Sequence, residues 1–228
     1  MKLRIGRSCK RVFSRGAQPS MTFCALLAVA GLFAGTASAR GWKGITPDAA
    51  FHHWTRFSIP PDTPPDAASQ WTRQPDGTIY CTGRGGHEFY RYDHELGNFD
   101  LHVEWMFPKL DPTPKYNSGV FVRNDTDGAE WYQAQVGPPA SGGYFFYGWM
   151  ENGVKKKIDL HREMKADAVK PPGEWNVYDI HAEGAHITLK VNGVLTSEFD
   201  CKRLKGYIGL EAEHSPVVFR DIRLKELP

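Results

Sequence analysis

The chain has 228 residues, a formal charge of +2, 41% apolar and 13% aromatic side chains, and frequent glycine and proline. Its first 39 residues hold six basic side chains and no acid, so the remainder is mildly acidic and lacks the basic footprint of a nucleic-acid or polyanion binder. Apolar residues come in short alternating runs, not helical stripes, which is an all-β composition.

Residues 1–39 read as a signal peptide. Lys2, Arg4, Arg7, Lys10, Arg11 and Arg15 form a basic n-region, residues 23–35 an apolar core, and Ala37-Ser38-Ala39 a small-residue cleavage site. The expected mature chain begins at Arg40, is periplasmic or extracellular, and has no membrane span. Lys10-Arg11-Val12-Phe13 resembles a twin-arginine signal with lysine in the first place, which leaves both export routes open.

Residues 40–70 are proline-rich and read as an irregular segment packed on the domain, with Trp42, Phe51 and Trp54 covering the core. His52-His53 has no third ligand at metal spacing, so no metal is expected. The domain proper is predicted over 71–228. Asp76-Gly77 turns into a strand over 78–81. Gly83-Arg84-Gly85-Gly86 is a turn without the strand-before, helix-after context of a phosphate loop. Strand pairing resumes at 88–91.

Three segments follow with period-two alternation: 99–107, 119–123 and 131–136. Leu101, Val103, Val120 and Val122 fall in the apolar phase. Taken as antiparallel neighbours, the segments bring Glu104, Arg123, Gln133 and Gln135 onto one polar face beside Trp131 and Phe121. Such a face is either solvated or a site for a polar, ring-shaped ligand. Asn117-Ser118-Gly119 closes the loop before the second segment, where Asn117 has a turn role available as well as a ligand one. Residues 137–153 read as a loop rich in glycine and rings, Tyr144, Tyr147 and Trp149 among them. Rings beside polar groups suit the apolar face and hydroxyl rim of a pyranose. Lys155-Lys156-Lys157 reads as a solvated turn, and 158–168 as a short helix containing His161.

Strands are predicted over 177–182, 186–191, 194–199, 207–211 and 217–224, with Asn192-Gly193 as the clearest hairpin turn. The pattern gives an antiparallel β-sandwich or jelly roll with Ile187, Leu189 and Ile208 also in the core. Cys81 and Cys201 can be a disulfide or two buried thiols.

Pro172-Gly173-Glu174-Trp175-Asn176, Val191-Asn192-Gly193-Val194, Gly206-Tyr207-Ile208-Gly209-Leu210-Glu211 and Phe219-Arg220-Asp221-Ile222 follow one another as the motifs of a known domain. Gly77 to Cys81, Asn117 to Arg123 and Trp131 to Val136 fit upstream in order. Over 71–227 the chain resembles the 3-keto-disaccharide hydrolase family, formerly DUF1080. The resemblance implies a concanavalin-like sandwich in an exported protein that cleaves glycosides oxidised at C3. The chain departs from the family pattern at Met106 (arginine there), Gln133 (an acid), Gly137 (an aspartate nearby) and Glu211 (glutamine).

The implied chemistry removes the acidified C2 proton, expels the glycosidic oxygen by β-elimination, and adds water to the enone. It needs a base, an enolate stabiliser and a proton donor. Glu104 is the expected base, Arg123 the enolate stabiliser, and His214 or His161 the acid or an alternative base. Gln133, Gln135, Trp131, Asn117 and Tyr147 are expected to contact a carbohydrate, with no cofactor. A structural salt bridge between Glu104 and Arg123 is the competing reading of that pair. A non-catalytic carbohydrate-binding module of the same fold is the competing function.

Overall fold

A computed structural model describes residues 41–59 and 65–228; the predicted signal peptide lies outside the described residues. Among the described residues fifteen strands follow in chain order. They are β1 (Lys43–Gly44), β2 (Trp54–Ser58), β3 (Trp71–Arg73), β4 (Ile79–Cys81), β5 (Glu88–Tyr92), β6 (Phe99–Met106), β7 (Ser118–Asn124) and β8 (Glu130–Val136). Then come β9 (Phe145–Glu151), β10 (Val154–Asp159), β11 (Asn176–Glu183), β12 (His186–Val191), β13 (Val194–Asp200), β14 (Tyr207–Ala212) and β15 (Val217–Glu226). Among the described residues no helix is long and apolar enough to cross a membrane.

All pairings are antiparallel, in two sheets. One, here the back sheet, runs β13-β12-β11-β6-β15-β4-β3, with β1 on β15. The other, here the cleft sheet, runs β10-β9-β8-β7-β14-β5-β2. Their inner faces meet in one core. Leu101, Val103, Ile187 and Leu189 reach it from the back sheet, and Val120, Val122 and Ile208 from the cleft sheet; all are at most 1% exposed. This is the sandwich that the alternation predicts. Cys81 and Cys201 are buried free thiols.

The expected adjacency of the three central segments is corrected. β7 and β8 are neighbours, but β6 lies in the back sheet, between β11 and β15. In a two-layer sandwich the non-core faces of the layers point in opposite directions. Glu104 and Arg123 therefore share no face.

Three local readings also change. Residues 40–70 are not wholly irregular, since β1 and β2 lie there and β2 forms the edge of the cleft sheet. The second part of the 137–153 loop is instead strand, 145–151: β9 and β10 form a hairpin whose turn, Asn152-Gly153, has φ of 52° and 75°. That is the primed-turn conformation Asn192-Gly193 also takes, at 51° and 84°. The helix over 158–168 reduces to one 3₁₀ turn, His161–Glu163, because Ile158 and Asp159 belong to β10.

Arg123 ties the loops at one end of the sandwich. It is fully buried at a φ of 50° near the end of β7. Nη1 donates to the carbonyls of Gly184 (2.5 Å) and Arg203 (3.0 Å), and Nη2 to that of Gly97 (3.1 Å). Burial lowers its pKa. The expected enolate stabiliser is thus a structural clamp. Arg123→Met would leave three carbonyls without this donor, and we expect a loss of about 3 kcal/mol in urea denaturation. Arg123→Lys, which lacks the planar fork, should restore little of it.

Candidate functional site

Strand phase builds the site on the outer face of the cleft sheet. In β14, Ile208, Leu210 and Ala212 enter the core, which turns Glu211 outward and continues to Glu213. In β8, Tyr132, Ala134 and Val136 enter the core, which turns Trp131, Gln133 and Gln135 outward. Tyr90 and Tyr92 enter it from β5, and His87 stands just before that strand in the outward phase. His87, Trp131, Gln135, Glu211 and Glu213 floor a cleft of about 770 Å³, while Gln133 is fully buried outside its lining. Tyr116, Tyr144, Phe146, Lys155 and Lys157 are among the residues that wall it. The volume lies in the range of small-molecule sites.

The polar floor is one network. His87 Nε2 lies 2.7 Å from Glu211 Oε1 and 4.0 Å from Glu213 Oε2. Gln133 Nε2 donates to Glu211 Oε2 at 2.5 Å. Gln135 Nε2 donates to Asn117 Oδ1 at 2.5 Å, and Asn117 Nδ2 donates to Glu213 Oε2 at 2.6 Å. Gln133 sits on β8 and Glu211 on β14, with β7 between them, so the amide must cross β7. It does so over Gly119, where a Cβ would lie 2.2 Å from Gln133 Nε2. Space, not backbone conformation, demands glycine there. Gly148 does the same for Trp131, whose Cζ2 would lie 2.1 Å from an added Cβ.

The electrostatics favour bound protons. Burial pulls the His87 imidazole down, but the Glu211 hydrogen bond and the charges of Glu211 and Glu213 outweigh it, so its pKa is raised. Burial and the Glu211 charge push the Glu213 carboxyl up. Lys155 Nζ lies over the Trp131 ring, 4.7 Å from its centroid, and adds positive charge to the wall. Burial pushes the Tyr144 hydroxyl up to about 12, so it remains a neutral donor and acceptor. His87, Glu211 and Glu213 offer donor atoms within 4.8 Å of one another, close enough for a divalent cation as well.

Of the residues expected from sequence, Gln133, Gln135, Asn117 and Trp131 come together here. Glu104 does not: it lies on the outer face of the back sheet, paired with Arg220 at 2.6 Å. Arg123 is the clamp described above. Tyr147 has the core phase of β9 and stacks on Tyr132 and Phe199. Phe146, one residue earlier, takes the cleft phase. His214 is exposed at a φ of 53° in the turn after β14 and does not line the cleft. His161 packs against Tyr144, with ring centroids 4.9 Å apart, and also stays outside the lining. The residues missed were His87, Glu211, Glu213, Lys155 and Lys157. The i, i+2 phase of Glu211 and Glu213 was legible, but not that β14 lies beside β7.

A family profile described as a 3-keto-alpha-glucoside-1,2-lyase-like domain matches residues 30–225. No curated protein matches. Among solved structures, a provisionally assigned glycosyl hydrolase from Parabacteroides distasonis ATCC 8503 aligns over 82% of this chain and 94% of its own, at 16% identity and a TM-score of 0.59. A second one from that organism aligns over 82% and 99%, at 21% identity and a TM-score of 0.56. The carbohydrate-binding module CBM66 from Bacillus subtilis aligns over 76% and 96%, at 16% identity and a TM-score of 0.55. At these identities the likeness establishes the fold.

Two outcomes follow from the network. Gly119→Ala should overpack the floor, push Gln133 off Glu211, and cost about 1–3 kcal/mol in urea denaturation. The second concerns pH. The stabilisation from His87 is complete below its ordinary value of 6.5 and is lost as pH rises through the raised one. Ionising Glu213 costs the fold progressively above 4.5. The melting-temperature advantage of wild type over His87→Gln should therefore be largest near pH ~6 and shrink toward pH ~9. An advantage that grows with pH would contradict the assignment.

Proposed function

The chain belongs to the 3-keto-alpha-glucoside-1,2-lyase-like family, and from that premise we propose that its cleft binds a glycoside bearing a C3 ketone and cleaves it by elimination. The observation that carries the reading is the placing of His87 Nε2 between Glu211 and Glu213 on the cleft floor. Ionised Glu213, made a stronger base by burial, takes the C2 proton. The electron pair moves to the C3 oxygen as an enolate, which Lys155 and Lys157 on the wall stabilise by charge. The C1–oxygen bond then breaks, and the leaving oxygen takes a proton from His87, which its raised pKa keeps protonated toward neutral pH. Water adds to the resulting enone. Glu211 is a positioning residue that holds His87.

Two of the four family departures, at 133 and 211, support this assignment. An acid is expected at 133 and glutamine at 211; here Gln133 and Glu211 have the reverse identities and are hydrogen-bonded to each other. The acid–amide pair is kept with its members exchanged. The signal-peptide pattern supports action outside the cytoplasm.

The test is incubation of the purified protein with a 3-keto-glucoside, measuring release of the aglycone. Glu213→Gln and His87→Gln should each lower turnover by roughly 10²–10⁴-fold with the fold retained. Glu104→Gln should turn over as wild type. Binding of the sugar without turnover in the wild type would favour the carbohydrate-binding reading, for which the rings and amides suffice.

A further inference from the structure

The outer face of the back sheet holds a second cluster that the cleft does not use. His102 and Glu104 share the outward phase of β6. Asp221 joins them because β15 bulges between Arg220 and Arg223, and its φ of 46° is the left-handed conformation that aspartate tolerates. His102 Nε2 lies 3.9 Å from Glu104 Oε1 and 3.8 Å from Asp221 Oδ2. Those separations are too long for hydrogen bonds. The nitrogen is buried and has no hydrogen-bond partner. Three donor atoms thus surround a point that none of them fills.

The surroundings fix each donor. His102 Nδ1 is 2.6 Å from Asp179 Oδ1, the carboxylate–histidine contact that orients a metal-binding imidazole. Glu104 turns its other oxygen to Arg220 Nε at 2.6 Å, and Asp221 turns its other oxygen to Arg223 Nε at 3.0 Å. Glu104 thus has one oxygen held by a hydrogen bond and Asp221 one held in an ion pair, and each directs its second oxygen at the shared point. Trp175 covers Arg220, with the guanidinium carbon 3.8 Å from the ring centroid.

We propose that His102, Glu104 and Asp221 form a binding site for a divalent transition-metal ion of the zinc class. With Asp179 the cluster sets three carboxylates against the two guanidinium groups of Arg220 and Arg223, so a negative charge remains for the cation, and the imidazole adds a nitrogen donor. The imidazole selects zinc-like ions over calcium and magnesium, which prefer oxygen ligands alone. Ligands of a tetrahedral zinc lie about 3.4 Å apart, so on binding the two separations from His102 Nε2 close by roughly half an ångström each. The fourth position is open to water, since the face is exposed. The site lies on the outer side of the back sheet, so its occupancy is read without reference to turnover. An ion there would pin β6, β11 and β15 together at the bulge.

The experiment is calorimetric titration of the untagged full chain with zinc chloride, with calcium and magnesium chloride as separate arms. Wild type should take up zinc at this site, and His102→Gln should weaken that binding at least tenfold. Asp179→Asn, which removes only the orienting contact, should weaken it by roughly 10–100-fold. Glu213→Gln should leave it intact, which separates it from any ion held in the cleft. A folded His102→Gln protein that titrates as wild type would overturn the proposal. If that variant does not fold, Asp221→Asn serves in its place, because asparagine keeps the left-handed turn, and wild-type zinc binding there would overturn it equally. Calcium or magnesium bound with the same dependence in place of zinc would also overturn it.

Discussion

The site depends on one buried carboxylate. Glu211 is 1% exposed in a strand whose alternate residues pack into an apolar core. Desolvating an unpartnered carboxylate costs several kcal/mol, so the fold must supply partners. It supplies an imidazole from the segment before β5 and an amide from β8, one from each side. The amide arrives only because β7 carries glycine where the two would collide. The shifted protons of His87 and Glu213 follow from the same burial and the same charge. The constellation is first a solution to a solvation problem, and the proposed chemistry would draw on the proton affinities that solution creates.

The two outer faces solve the problem of polar residues on a sheet differently. On the back sheet, acids and histidines sit directly opposite each other on neighbouring strands: Asp179 faces His102, and Asp100 faces His181. Both pairs are in contact, at 2.6 and 2.7 Å. Such cross-strand pairs stay near solvent and hold register. On the cleft sheet, the polar atoms are buried under rings and lysine side chains, where electrostatic interactions are stronger and partners more necessary. That contrast, more than residue type, separates a laced surface from the candidate site.

The strands and their faces were legible from sequence because period two needs only local information. Val120 and Val122, Ile187 and Leu189 all took the predicted side. Which strands lie beside one another was not legible, because pairing is set by long-range topology. The assumption that consecutive segments are neighbours placed Glu104 with Gln133; the chain instead crosses from the back sheet to the cleft sheet between β6 and β7. The same gap hid β14 beside β7, and with it Glu211 and Glu213. The β9–β10 hairpin was a different kind of miss. Asn152-Gly153 is the same turn signal that marked Asn192-Gly193, but the glycines and prolines before it gave 137–153 the look of a loop. Tyr147 moved to the core and Phe146 to the cleft once that stretch had a strand phase.

The central claim is that the sugar binds over Glu211, on the outer face of the cleft sheet. A crystal structure of the protein with a bound 3-keto-glucoside tests it most directly. The account predicts the sugar ring within hydrogen-bonding distance of Glu213 and His87, with its ketone toward Lys155 and Lys157. A sugar bound on the back sheet, beside Glu104 and Arg220, would contradict it.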